Sequence, residues 1–247
     1  MFKIFELKRF VTLFSIILIG AVILGIFGIR SGAVYTSTGQ KEEQYTVYLT
    51  FDDGPSAVTS DLLNVLESEN VKATFFVIGS TTENGVNLYN RIIDGGHALG
   101  LHTFSHNAPS IYSSSEIFMT DFEKLSDWIF TCTNTTPKIY RFPGGSKTIH
   151  CTEKVMTDIQ NDLSKEGYVM YDWNVQANDS SDFTLPVSDL IRNVINGAEQ
   201  KPNQDLVILF HDDSLRTSLP SAMPEIIQYF KDKGYVFDVL TENTILK

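Results

Sequence analysis

From residue 45 onward, short apolar runs rich in β-branched and aromatic residues alternate with amphipathic stretches. The apolar runs fall at Tyr45–Phe51, Ala73–Ile78, Ala98–Leu101, Ile139–Phe142, Tyr168–Trp173, Leu206–His211 and Tyr235–Leu240, which predicts seven strands. Between them, helical spacing covers Ser56–Asn70, Glu83–Asp94, Ser113–Phe130, Thr152–Glu166, Val187–Gln200 and Pro220–Lys233. In the first of these, Leu62, Leu63, Val65 and Leu66 form an apolar stripe behind the start signal of Pro55 and Ser56. Strand–helix alternation implies βαβ units, hence an α/β fold with a parallel sheet and outer helices, either open or closed into a barrel. The chain contains no internal repeat and no low-complexity tract.

Before this pattern the chain is different. Phe10 to Ile29 runs without a charge, and about 20 apolar residues at ~1.5 Å each match the hydrocarbon thickness of a bilayer. Lys3, Lys8 and Arg9 precede the run and only Arg30 follows it, which orients the N-terminus to the cytoplasm and exports the rest. Residues 1–30 are therefore read as a single-pass membrane anchor, 31–44 as a polar tether and 45–247 as the extracellular domain. The small residues Ser31-Gly32-Ala33 leave cleavage open, in which case the domain is secreted.

Composition narrows the partners. The 247 residues are 43% hydrophobic and 20% charged, as one globular domain requires. The net charge of −11 includes +3 on residues 1–30, leaving −14 on the remainder, so nucleic acid is not an expected partner. Such acidity otherwise serves solubility, and a monomer is expected. Cys132 and Cys151 are the only cysteines. Export permits a bridge between them, and two buried thiols are the other reading.

Chemistry concentrates at the C-terminal ends of the predicted strands, where parallel α/β folds gather ligands and catalytic groups. The first ends in Asp52-Asp53, the third runs into His102 and His106, and the fourth brings Arg141. The fifth brings Asp172 and Trp173, and the sixth His211. Taken singly, each has a plain explanation: an Asp-Asp pair is often a turn or helix cap, and a lone tryptophan is usually core filling. His102 and His106, four apart, would share one face of a helical turn with about 5–6 Å between Cβ atoms. His97 and His150 belong to no such group and are assigned to structure or surface. Convergence of five strand ends on one rim favours a single site.

These residues resemble the polysaccharide deacetylase family, carbohydrate esterase family 4, with its NodB homology domain. The motifs are "TFDDGP" at 50–55, "HTFSH" at 102–106, "RFPGG" at 141–145, "DWN" at 172–174 and "LFH" at 209–211. The resemblance implies a distorted (β/α) barrel with about seven parallel strands. It also implies a metal-dependent hydrolase that removes acetyl groups from N-acetylated sugars of a polysaccharide, with cell-wall peptidoglycan the expected substrate of an anchored domain. The alternatives are an O-acetyl polysaccharide esterase of the xylan type and a non-catalytic, wall-anchored carbohydrate-binding relative.

By the same resemblance, Asp53, His102 and His106 bind one divalent metal ion, zinc in the first place and other transition metals in the second. Asp52 is the general base and His211 the general acid. Arg141 sits beside the base and lowers its pKa, while Asp172 sits beside the acid and raises it. Pro143 and Gly144 belong to the substrate site, with the Gly144 N–H facing the oxyanion, and Trp173 and Leu209 line the acetyl groove. The Gly144-Gly145 pair departs from family members that carry an aromatic there, which leaves part of the sugar wall unassigned. Side-chain alternation along a strand is expected to send Asp52 and Asp53 in different directions.

Overall fold

The computed structural model describes residues 44–180 and 182–247. The predicted anchor over 1–30 and all but the last residue of the tether predicted over 31–44 lie outside the described residues. Among the described residues no helix is long and apolar enough to cross a membrane.

The strands are β1 (Thr46–Asp52), β2 (Thr74–Val77), β3 (Ala98–Leu101), β4 (Ile139–Tyr140), β5 (Val169–Met170), β6 (Val175–Gln176), β7 (Leu206–His211) and β8 (Val236–Phe237). The helices are α1 (Ala57–Ser68), α2 (Glu83–Asp94), α3 (Ala108–Ile111), α4 (Ser115–Thr133), α5 (Glu153–Lys165), α6 (Val187–Glu199) and α7 (Leu219–Asp232). All six expected helices form, each ending within a turn of its predicted limits, and the single-turn α3 is additional. Hydroxyls explain four of the starts: Ser56, Thr82, Ser114 and Thr152 each accept a backbone N–H from the first turn.

All pairings are parallel, in the order β5-β4-β3-β2-β1-β7-β6, with β8 joined to β1. The seven expected strands are present, and β6 is an eighth that the sequence pattern did not reveal. β8 pairs with β1 at Thr46 and Val47, below the stretch Thr50–Asp52 that pairs with β2. One edge of β1 therefore serves two partners, while β7 runs along the other from Val47 to Asp52.

Alternation along β1 sorts its side chains into two cores. Val47, Leu49 and Phe51 face the helices, where Phe51 stacks between Phe75 at 5.0 Å and Phe210 at 5.5 Å. Tyr48 belongs instead to an inner cluster with Phe76, Ile139, Tyr171, Val207 and Leu240. Strands buried on both faces read as continuous apolar runs, which is why β1 and β7 are so apolar in sequence. A fully buried phenylalanine such as Phe51 contributes roughly 1.5–3 kcal/mol of burial energy. Gly100 on β3 is needed for this packing, because a Cβ there would lie 2.5 Å from the Phe76 ring.

Candidate active site

The fold places Asp52 as the last residue of β1 and turns the chain immediately after it. Asp53 has φ +76°, in the left-handed region where aspartate is one of the few tolerated residues. Its N–H still bonds to the Phe76 carbonyl at 3.3 Å, and the Gly54 carbonyl accepts from Ile78 at 2.8 Å. The two carboxylates are thus separated by a backbone turn beyond the strand end, not by strand alternation as expected. Both come near one imidazole: Nε2 of His102 lies 3.8 Å from Asp52 Oδ2 and 3.5 Å from Asp53 Oδ1.

His102 and His106 lie in an irregular loop after β3 rather than on a helical turn. Positive φ at Thr103 (+70°) and His106 (+51°) curls the loop so that the two rings come within 5.1 Å. Asp121 on α4 fixes this curl, accepting the N–H groups of Phe104 at 2.7 Å and Ser105 at 3.0 Å on one oxygen. His106 Nε2 reaches Asp53 Oδ1 at 3.1 Å, and the ligand atoms of Asp53, His102 and His106 all lie within 4.8 Å of one another.

These three residues fit a divalent cation. Asp53 Oδ1 is buried without a hydrogen-bond partner, although both imidazoles face it. His102 Nδ1 lies 2.8 Å from the Arg141 carbonyl, so it carries the proton and leaves the Nε2 lone pair aimed at Asp53. Burial pushes the His102 pKa down to about 3, keeping the ring neutral, as a metal ligand must be. One carboxylate and two imidazoles leave coordination positions open, as a catalytic zinc site requires.

Arg141, directly after β4, is fully buried and reaches across the inner face of the sheet. Its Nη1 bonds Asp52 Oδ1 at 2.9 Å and Thr50 Oγ1 at 2.7 Å, its Nε donates to the Tyr171 carbonyl at 2.8 Å, and its Nη2 to the Asp172 carbonyl at 3.2 Å. The expected placement of Arg141 beside Asp52 is therefore present. The expected pKa direction is not: burial raises the Asp52 carboxyl, and this outweighs the lowering by Arg141 and His211.

At the end of β7, His211 pairs with Asp179, not with Asp172. Asp179 follows the short strand β6 and presents Oδ1 to His211 Nδ1 at 2.8 Å and Oδ2 to the His211 N–H at 3.0 Å. Burial alone would lower the His211 pKa, but the bond and charge of Asp179, with Asp52 and Asp53 behind it, raise it to about 9.

Asp172 lies elsewhere: it follows β5, whose paired neighbour is β4, whereas β7 pairs with β1 and β6. Its carboxylate accepts the Ser146 N–H at 3.0 Å and the Ser146 hydroxyl at 2.5 Å, so it braces the turn after the Arg141 motif. In that turn Gly144 and Gly145 both have φ +77°, and the Gly145 N–H closes on the Phe142 carbonyl at 2.7 Å. The Pro143 carbonyl accepts the Tyr112 hydroxyl at 3.0 Å. Trp173 packs against the turn so closely that a Cβ on Gly145 would sit 2.9 Å from its ring. Trp173 thus occupies the space beside the Gly-Gly turn. Leu209 is buried on β7, two residues before His211 and on the same side of the strand.

Sequence reasoning also missed Asp212. It is fully buried, its N–H bonds the Asp52 carbonyl at 2.9 Å, and its Oδ2 accepts the Thr59 hydroxyl at 2.5 Å. A Cβ on Gly54 would lie 2.4 Å from the same oxygen, so glycine is required where the turn crosses Asp212. Burial, reinforced by Asp53 and Asp52, raises the Asp212 pKa to about 7. The Asp179 signal was faint because β6 has only two residues, too few for a period to register. The Asp212 signal was present in "LFHDD" but indistinguishable from a solvated turn.

The remaining assignments fall as expected or resolve. His97 is structural, its Nδ1 accepting the Ala73 N–H at 3.1 Å, and His150 is exposed. Cys132 and Cys151 are free, half-buried thiols.

Comparison with known proteins agrees with this geometry. The family described as polysaccharide deacetylase matches residues 39–167, which include Asp52, Asp53, His102, His106 and Arg141. The chain is 34% identical to a putative polysaccharide deacetylase, YheN, of Bacillus subtilis over 85% of its own length and 72% of that protein. It is 31% identical to a peptidoglycan-N-acetylglucosamine deacetylase of Bacillus cereus, over 82% of this chain and 72% of that one. Its structure is similar to the catalytic domain of a peptidoglycan N-acetylglucosamine deacetylase from Eubacterium rectale, with a TM-score of 0.76 and 34% identity, covering 83% of this chain and 93% of that domain. On sequence, fold and site alike, the chain belongs to the polysaccharide deacetylase family and is a hydrolytic enzyme of that family.

Proposed function

We propose that this protein is a divalent-metal-dependent de-N-acetylase acting on the N-acetylated sugars of cell-wall peptidoglycan, from a domain held outside the membrane by residues 10–29. The carrying observation is one juxtaposition: the Asp53, His102 and His106 donor set has the buried carboxylate of Asp52 beside it, and the Asp179-held imidazole of His211 completes the strand-end group. The names of the relatives from Bacillus cereus and Eubacterium rectale support peptidoglycan as the polymer. The uncharged run after Lys3, Lys8 and Arg9 supports the anchor. The sheet, with its helices outside, fits the family's distorted (β/α) barrel.

In this reading Asp53, His102 and His106 would hold zinc or another transition metal. When bound, the ion supplies an acidified water and a polarised acetyl oxygen. Asp52, held by Arg141 and Thr50, takes the proton of the attacking water. The N–H of Gly144, in the turn braced by Asp172, donates to the oxyanion that develops on the acetyl group. His211 is protonated at neutral pH and gives its proton to the departing amine, while Asp179 fixes the ring orientation. An amine leaves poorly unless protonated, so a histidine held in its charged form suits an amide substrate better than an ester.

Acetate release decides the proposal. Purified protein with added zinc is assayed on peptidoglycan, on N-acetylglucosamine oligomers and on acetylated xylan, with chelated enzyme as control. Release from the first two, lost on chelation, is the expected result. Release from xylan alone would make the protein an O-acetyl esterase, and glycan binding without release would make it a binding relative.

A further inference from the structure

We propose that Arg216 is a positioning residue for the general acid: it clamps the backbone of Asp179 so that the Asp179 carboxylate meets the His211 imidazole. The inference rests on the deacetylase reading for its catalytic consequence.

Asp179 lies between β6 and α6, where the described residues form neither helix nor strand, next to Asn178 with φ +57°. A carboxylate on such a segment is aimed only if something holds the chain. Its side chain is committed to His211 through both oxygens. Its carbonyl is taken by Nη1 of Arg216, and the next carbonyl, of Ser180, by Nη2 at 3.4 Å. The guanidinium also lies 4.3 Å from the centre of the Phe183 ring, farther along the same segment.

Arg216 is itself pinned from the other side. It is 5% exposed, and its Nε donates to Asp213 Oδ2 at 2.9 Å. Asp213 also accepts the Leu215 N–H on Oδ1 at 2.9 Å and the Arg216 N–H on its carbonyl at 3.2 Å, closing a tight turn two residues beyond His211. The clamp therefore ties the turn after β7, which carries the acid, to the segment after β6, which carries the acid's partner. A buried guanidinium whose donors end on carbonyls of one segment is costly to remove, because those carbonyls lose their partners. Lysine could not replace the planar fork.

Arg216 does not touch the imidazole, so its effect passes through Asp179. The charged groups facing His211 are Asp179 from this segment and Asp52 and Asp53 from the end of β1. Releasing Asp179 removes the largest of the favourable influences on the protonated ring.

The test is an NMR titration of the His211 imidazole in the zinc-loaded full chain, assigned with His211→Gln, for wild type and Arg216→Met. Methionine keeps an apolar stem against Phe183 and removes every donor. The expected result is a fall of at least one unit in the His211 titration midpoint. On N-acetylglucosamine oligomers, a roughly tenfold or greater loss of kcat with little change in KM should accompany it, the alkaline limb of the pH profile moving the same way. A folded Arg216→Met variant with an unshifted titration overturns the clamp. Should that variant not fold, Asp213→Ala, which removes the partly exposed anchor of Arg216, decides instead: a smaller shift in the same direction supports the clamp, and none overturns it. The titration needs no substrate, so a chain inactive on acetylated sugars would overturn the deacetylase reading while leaving the clamp to its own result.

Discussion

His211 and Asp179 are joined twice: the imidazole Nδ1 meets Oδ1 at 2.8 Å, and the backbone N–H of the same histidine meets Oδ2 at 3.0 Å. The double contact fixes both the ring and the carboxylate, so the proton on Nδ1 is held and Nε2 is left outside the pairing. The His211 pKa of about 9 follows from this pairing against the opposing effect of burial.

Asp179→Asn should therefore lower the His211 pKa toward the ordinary range near 6.5 and cut kcat at pH 8 by about 100-fold. The sign is definite: a raised folded-state pKa keeps the acid protonated up to about pH 9, and losing the partner brings the alkaline limb of the rate profile down. Asp172→Asn should leave that limb in place, because its carboxylate bonds Ser146. A pH profile that moved with Asp172 and not with Asp179 would reverse the assignment.

Asp52 and Asp53 should separate cleanly by metal analysis. Asp53→Asn removes the anionic member of the donor set and is expected to lose bound zinc, measured by mass spectrometry after dialysis. Asp52→Asn is expected to keep zinc and to lose turnover by about 100- to 10,000-fold, the range of a removed general base. Loss of metal in both variants, or in neither, would mean that the carboxylates do not divide their work in this way.

Asp212 should make the metal-free protein less stable as pH rises. Its folded pKa of about 7 lies above the unfolded value near 3.9, so the folded state binds the extra proton between those limits. The stability this contributes is complete below about pH 4 and is lost as pH rises through 7, at up to about 1.4 kcal/mol per unit. Asp52, also raised, acts in the same direction. The informative quantity is thus the difference in urea midpoint between wild type and Asp212→Asn across pH 4 to 8, which should shrink or change sign as pH rises. A constant difference would place the proton elsewhere.

Gly145→Ala should cost stability and substrate binding together. The added methyl meets Trp173 at 2.9 Å and is held at φ +77°. Left-handed strain of about 1–2 kcal/mol adds to overpacking of about 1–3 kcal/mol. Because Trp173 would be displaced from the turn beside Gly144, KM for N-acetylglucosamine oligomers should rise along with a lower Tm. An unchanged KM in a destabilised variant would restrict this turn to a structural part.

The strand–helix alternation, the helix limits to within a turn and most of the candidate site can be read from local pattern alone. Asp52, Asp53, His102, Arg141 and His211 were legible because each stands at the end of a strand or directly beyond it, and His106 because it follows His102 by four residues in the loop after β3. Burial on both faces makes β1 and β7 continuous apolar runs, and a polar residue closing such a run stands out. Of the four hydroxyl caps that start helices through local hydrogen bonds, Ser56 was read as a start signal in the sequence.

Which of these groups meet depends on long-range packing. Asp172 ends a strand that is easy to see, but β5 lies at one end of the order and β7 is next to the other end, beside β6. The partner of His211 comes from the segment after β6, the strand paired with β7, and is Asp179. Strand order is set by long-range pairing, which no local period records. The same holds for Asp52, whose pKa rises because burial outweighs Arg141. It holds as well for the curl that joins His102 and His106, set by backbone angles and by Asp121 on α4. Burial and proximity belong to the folded chain as a whole, and residues far apart in sequence acquire their pKa values and partners only there.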